Sequence, residues 1–93
     1  MKSEKKRKHL TFYGSVQGVG FRYRARQAAG ILGLTGWVRN EFDGSVTMEV
    51  QGTDEEIDRL ISMVDQGRYV RIDSIDVKTL PLLEDERGFR SRR

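Results

Sequence analysis

Residues 36–52 read Gly36-Trp-Val-Arg-Asn-Glu-Phe-Asp-Gly-Ser-Val-Thr-Met-Glu-Val-Gln-Gly52, and this stretch decides the kind of fold. Val46, Met48 and Val50 alternate with Ser45, Thr47 and Glu49, which is the period of a half-buried strand. Asp43-Gly44 is turn chemistry, so the stretch predicts a β-hairpin. A two-residue loop would set Arg39 and Glu41 opposite Met48 and Val46. A three-residue loop, Phe42-Asp43-Gly44 with Gly44 left-handed, pairs Val38 with Met48 and Asn40 with Val46. The second register matches the apolar faces better and is the one expected. It places the Asn40 side chain on the buried face, at the end of its strand.

Downstream of the hairpin, Thr53-Asp-Glu-Glu56 is a capping box, in which the Thr53 hydroxyl and the Glu56 carboxylate each serve the other's amide. Ile57, Leu60, Ile61 and Val64 follow at helical spacing, and Gln66-Gly67 ends the helix. Upstream, Leu10-Thr-Phe-Tyr13 reads as a first strand. Phe21, Ala25, Ala28, Ala29 and Leu32 mark one face of a helix that Gly33 stops. Gly30 inside that helix is expected to permit close packing. Val70 to Leu80 has no cleanly apolar face, which suits an edge strand, and Pro81 closes it. Phe89 is expected to anchor a short last strand.

The order β-α-β-β-α-β with right-handed crossovers predicts an α+β, ferredoxin-like βαββαβ two-layer sandwich. Its sheet is expected to be antiparallel, with two helices on one face. The 93 residues allow one such domain, over 10–93. Residues 1–9 hold Lys2, Lys5, Lys6, Arg7 and Lys8 against Glu4 and are expected to be a disordered basic tail. Arg90, Arg92 and Arg93 add charge at the other end, so the +3 net charge belongs to the termini and the body is mildly acidic. No apolar signal segment or membrane-spanning run is visible, which points to a cytoplasmic protein and to no membrane partner.

The composition excludes several chemistries. Without cysteine there is no disulfide or thiolate metal site, and one histidine cannot supply a two-histidine site, so neither metal nor other cofactor is expected. His9 lies in the basic tail and reads as a solvated residue rather than a triad member. Glu55, Glu56 and Asp58 crowd a helix start, where they complement its dipole. Trp37, Tyr13 and Tyr23 read as core or rim residues.

The loop Gly14-Ser-Val-Gln-Gly-Val-Gly20 is different. As a bare connector it would be unremarked. Glycines at 14, 18 and 20, however, let successive N–H groups converge in a nest, and the loop runs into the positive end of the helix at Phe21. Arg22, in the first turn, offers a permanent charge and a fork that matches two phosphate oxygens. A cation there is unfavourable by about 0.3–1 kcal/mol, so an anion is expected beside it. Topology brings Asn40 to the same sheet edge, because the strands flanking the crossover helix run parallel.

Two stretches resemble the signatures of the acylphosphatase family. They are Gly14-Ser-Val16-Gln17-Gly18-Val19-Gly-Phe21-Arg22, and Gly36-Trp37-Val38-Arg39-Asn40 followed by Gly44-Ser-Val46 and Gly52. The resemblance covers residues 10–89. It implies hydrolysis of the carboxyl–phosphate bond of acyl phosphates by direct attack of water, without a metal. It implies a phosphate-binding loop of Ser15, Val16, Gln17, Gly18, Val19, Gly20 and Phe21, with Arg22 binding phosphate and Asn40 orienting the water. It also implies a monomer acting on a small molecule and inhibited by inorganic phosphate. The lysine-rich start has no counterpart in the family, and the arginine-rich end departs from its usual aromatic-terminated last strand.

Two other readings compete. Acylphosphatase-like modules also occur inside larger carbamoyl-transfer proteins, but the presence of both Arg22 and Asn40 in a short chain favours the enzyme. RNA-recognition modules share the element order and stack bases on strand aromatics. Here Phe12 and Tyr13 point to opposite faces, Ser45–Gln51 has no aromatic, and the body is acidic, so no specific nucleic-acid partner is expected.

Overall fold

A computed structural model describes residues 4–93. Its elements are β1 (Lys5–Ser15), α1 (Phe21–Leu32), β2 (Thr35–Asn40), β3 (Val46–Thr53), α2 (Asp54–Asp65), β4 (Arg71–Leu80) and β5 (Phe89–Arg92). The strands form one sheet in the order β4-β1-β3-β2-β5. β1 lies antiparallel between β3 and β4, and β2 runs antiparallel to β3. The ferredoxin-like sandwich is therefore present, with β4 at an edge as its mixed faces suggested.

The hairpin takes the three-residue register. Val38 faces Met48 and Asn40 faces Val46. Glu41 N–H donates to the Ser45 carbonyl at 2.8 Å, closing Phe42-Asp43-Gly44, and Gly44 has φ 95°. Asp43 Oδ1 accepts from Ser45 N–H and from the Ser45 hydroxyl, which holds the turn. In the sheet, Leu10, Met48 and Val38 form one row and Phe12, Val46 and Asn40 the next.

These rows supply the floor of the core, together with Val50. Phe21, Ala25, Ala28 and Ala29 of α1 and Ile57, Leu60 and Val64 of α2 cover it from one side. Both helices thus sit on the same face. The Thr53 and Glu56 capping box is formed at both bonds. Gly33 ends α1 in the left-handed conformation.

The structure differs from expectation in four places. First, the basic run is no tail from Lys5 onward: Lys5 to His9 pair with Thr53 to Glu49. Residues 1–3 lie outside the described part. Strand alternation divides the charges between two faces, and each face holds acids. Lys6 and Lys8 both reach Asp54, at 2.8 and 2.7 Å. On the other face Arg7, only 2% exposed, bonds Glu86 with both Nη atoms (2.6 and 3.0 Å) and Glu49 through Nε (3.1 Å). Burial works against the Arg7 charge, but the hydrogen bonds and charges of Glu86 and Glu49 outweigh it and hold its pKa above the ordinary value.

Second, His9 is not a solvated residue. Its Nδ1 lies 2.9 Å from Glu49 Oε2, and its ring meets Trp37 edge-on at 6.3 Å. Third, the sheet is mixed rather than wholly antiparallel, because β5 adds to β2 in parallel, with Phe89 beside Gly36 and Arg92 beside Arg39. Arg92 and Arg39 lie over the Trp37 ring at 4.9 and 5.2 Å, which gives a strand of arginines an apolar surface to pack on. Fourth, Gly30 serves no close contact: a Cβ there would meet nothing within 4 Å.

Candidate active site

β1 ends at Ser15 and α1 begins at Phe21, so five residues turn the chain from sheet to helix. Both ends of this loop are anchored in the core. Val16 is buried, and the buried Phe21 ring meets Phe12 edge-on at 4.9 Å. Between them Gly18 and Gly20 have φ 72° and 82°, conformations that a side chain would strain. Gly20 is the N-cap of α1 and offers no side-chain cap.

The two helix starts are opposites. α2 has its capping box and three acids, Asp54, Glu55 and Glu56, in the first turn. α1 has neither a cap nor an acid there. Its ladder begins with Arg24 N–H on the Gly20 carbonyl, at 3.0 Å. The amides of Phe21, Arg22 and Tyr23 are thus the orphan donors of the first turn, at the positive end of the helix. Arg22 adds a guanidinium to the same end, and no carboxylate pairs with it among the described residues.

A cleft of about 200 Å³ opens at this point, lined by Val16, Gly18, Gly20, Arg22, Tyr23 and Asn40. Arg22 and Asn40 therefore share one cleft although 18 positions apart. Arg22 Nη1 donates to the Arg92 carbonyl at 3.2 Å, so the end of β5 steadies the side chain. That contact uses one of five guanidinium donors and leaves the rest free for an anion.

The other loop residues divide by task. Gly18, Gly20 and Phe21 are at the cleft with Val16. Ser15 pairs with Arg71 at the end of the β1–β4 ladder and is not part of the lining. Val19 packs against the core. Gln17 turns its amide across to the hairpin, where Nε2 donates to the carbonyls of Glu41 and Ser45.

Two contributors escape sequence reasoning. Tyr23 was expected at the core or rim and is an exposed rim residue of this cleft, its hydroxyl accepting from Gln27 Nε2 at 2.8 Å. Its i, i+4 spacing to Gln27 was the available signal. Arg92 contributes a backbone carbonyl, for which no side-chain pattern could speak. Among the described residues, no group of three or more histidines and carboxylates is placed to hold a metal ion. No helix is long and apolar enough to cross a membrane.

The class is an α+β ferredoxin-like sandwich whose small cleft gathers a glycine loop, an uncapped helix start, a guanidinium and an amide, groups suited to an anion. Similarity to known proteins gives the family. The acylphosphatase family model matches residues 8–91. An acylphosphatase of Salinibacter ruber is 44% identical over 89 residues, covering 95% of this chain and 94% of the relative. An acylphosphatase of Oceanobacillus iheyensis is 48% identical over 69 residues, 72% of this chain and 76% of the relative. The crystal structure of acylphosphatase from Bacillus subtilis superposes with a TM-score of 0.85 at 29% identity, covering 95% of this chain and 99% of that one. The chain belongs to the acylphosphatase family.

Proposed function

We propose that this acylphosphatase hydrolyses the carboxyl–phosphate bond of small acyl phosphates with Arg22 and the glycine loop leading into α1 holding the phosphate and Asn40 orienting the attacking water. The observation that carries this reading is the shared cleft: Arg22 and Asn40 line it together at the uncapped start of α1.

The chemistry fits what these groups can do. The phosphate takes the orphan amides and the free guanidinium donors, a fixed set of positive dipoles and charge. Water attacks phosphorus, the new P–O bond forms, and the bond to the acyl oxygen breaks. The leaving group is a carboxylate, which needs no general acid. Asn40 has no useful pKa and is not a base. Its amide oxygen and nitrogen hold the water on the attacking side. The water's proton passes to a phosphate oxygen. The protein contributes position and electrostatic stabilisation, and no step calls for a metal.

The same proposal includes competitive inhibition by inorganic phosphate, which occupies the cradle as product. It also includes a monomeric state and a cytoplasmic location, where a chain without cysteine is indifferent to the reducing conditions. The test is phosphate release from acetyl phosphate, with a phosphate monoester as control and EDTA in a parallel assay. Release from acetyl phosphate only, unchanged by EDTA and lost in Arg22→Ala, is the expected result. Activity that EDTA removes, or that survives Arg22→Ala, would overturn the assignment.

A further inference from the structure

A groove of about 510 Å³ lies beside the cleft, between α1 and the start of β5. Tyr23, Arg26, Gly30, Gly33, Leu34 and Phe89 line it. Tyr23 lines both this groove and the cleft that holds Arg22 and Asn40, so the two adjoin at that residue. The hydrogen bond from Gln27 pins Tyr23 against the next helical turn. The glycines keep the groove open, because a Cβ on Gly30, Gly33 or Gly88 would meet nothing within 4 Å. Its walls are apolar in part, from the rings of Tyr23 and Phe89 and from Leu34. Arg26 stands beside them with no ion pair among the described residues.

We propose that this groove is the acyl subsite and that it selects acyl phosphates with an extended apolar chain. The inference rests on the phosphate assignment of Arg22 and Asn40 made above. With phosphate at the start of α1, the acyl group must leave the cleft, and Tyr23 is the residue that joins cleft to groove. From Tyr23 to Gly30 the helix rises about 10 Å, a length that a chain of roughly eight carbons follows and a two-carbon acyl group does not. The size is that of a small-molecule site rather than a surface dimple. Because the groove grips the chain alike in the ground and transition states, it acts on KM and leaves kcat alone.

The test compares acetyl phosphate with octanoyl phosphate in the wild type, Gly30→Ala and Gly30→Leu. The wild type is expected to favour octanoyl phosphate in kcat/KM by at least about tenfold, through KM. Gly30→Leu fills the groove two turns from Arg22. It should remove that preference and keep kcat/KM for acetyl phosphate within about twofold, with Gly30→Ala between the two. A preference that survives Gly30→Leu, or no preference in the wild type, overturns the proposal. So does a parallel fall for both substrates, which leaves their ratio unchanged. Failure of the phosphate assignment shows separately, as acetyl phosphate turnover that persists in Arg22→Ala.

Discussion

Gln17 Nε2 donates to the Glu41 carbonyl at 2.7 Å, and the same nitrogen also reaches the Ser45 carbonyl at 2.8 Å. One side chain from the loop before α1 thus closes on the hairpin immediately after Asn40. Gln17→Ala removes both bonds across to the hairpin and leaves the Glu41 and Ser45 carbonyls only their turn partners, Gly44 N–H and Glu41 N–H. The loop and Asn40 then lose their common reference. A fall in kcat of about 10²-fold, with a smaller change in phosphate inhibition, is expected from steady-state kinetics. Unchanged kcat would show that the brace plays no part in alignment.

Arg22→Ala should abolish turnover of acetyl phosphate and remove the rise in Tm that phosphate gives the wild type by mass action. The stability of the unliganded protein should change by less than about 1 kcal/mol, because a cation repelled by the helix end and one exposed bond to Arg92 are lost together. Arg22→Lys should fail as well, since an ammonium cannot reproduce the fork. Calorimetry with and without millimolar phosphate, beside the activity assay, decides.

Asn40→Ala should lower kcat by about 10²–10³ while phosphate inhibition changes little, because a water-positioning amide acts as the nucleophile approaches. Asn40→Asp keeps the shape and adds a negative charge, so it should weaken phosphate inhibition too. If Asn40 only finishes its strand, both variants will lose stability in urea and keep their turnover per folded molecule.

Arg7→Ala should destabilise the fold by roughly 2–3 kcal/mol, since it removes the guanidinium that pairs Glu86, leaves Glu49 only His9, and opens the space that Arg7 fills. The site lies elsewhere, so kcat of the folded fraction should stay near wild type. Urea unfolding measures the first effect and acetyl phosphate turnover the second. A loss well under 1 kcal/mol would mean that the three charges form no cooperative unit.

The link between Asp54 and the two lysines sets a pH dependence. The hydrogen bonds and charges of Lys6 and Lys8 lower the Asp54 pKa from 3.8 to about 2. A carboxyl with a depressed pKa in the folded state stabilises the protein above its unfolded value. That contribution is lost as pH falls from about 4 towards 2. Asp54→Asn should therefore flatten the stability profile in that window and leave its shape near neutral pH unchanged. Because Asp54 is partly exposed, salt should shrink the difference. Chemical unfolding at several pH values, for both proteins, checks it.

Local pattern was enough for much of this protein. Alternation and turn chemistry determined the hairpin and its register, so that Val38 meets Met48 and Asn40 meets Val46. The capping box and apolar stripe determined α2, and the Phe21–Leu32 stripe determined α1. The glycine loop before Arg22, and the parallel strands on either side of α1, were legible as a meeting point for Arg22 and Asn40. These features depend on neighbours in sequence or on handedness rules, which a linear chain displays.

Tertiary contacts decided the rest. A run of lysines and arginines reads as solvated until Glu49, Asp54 and Glu86 come to it from 40 or more positions away. Only then can Lys5–His9 continue β1, with Arg7 buried. The parallel addition of β5 depends on Gly36 and Trp37 accepting it, and the hold on Arg22 depends on a backbone carbonyl at its end. The groove beside Tyr23 exists because Gly30, Gly33 and Phe89 come together across α1 and β5. Spacing along the chain reports what a residue's own element needs, whereas partner charge, strand addition and empty volume arise only when distant segments meet.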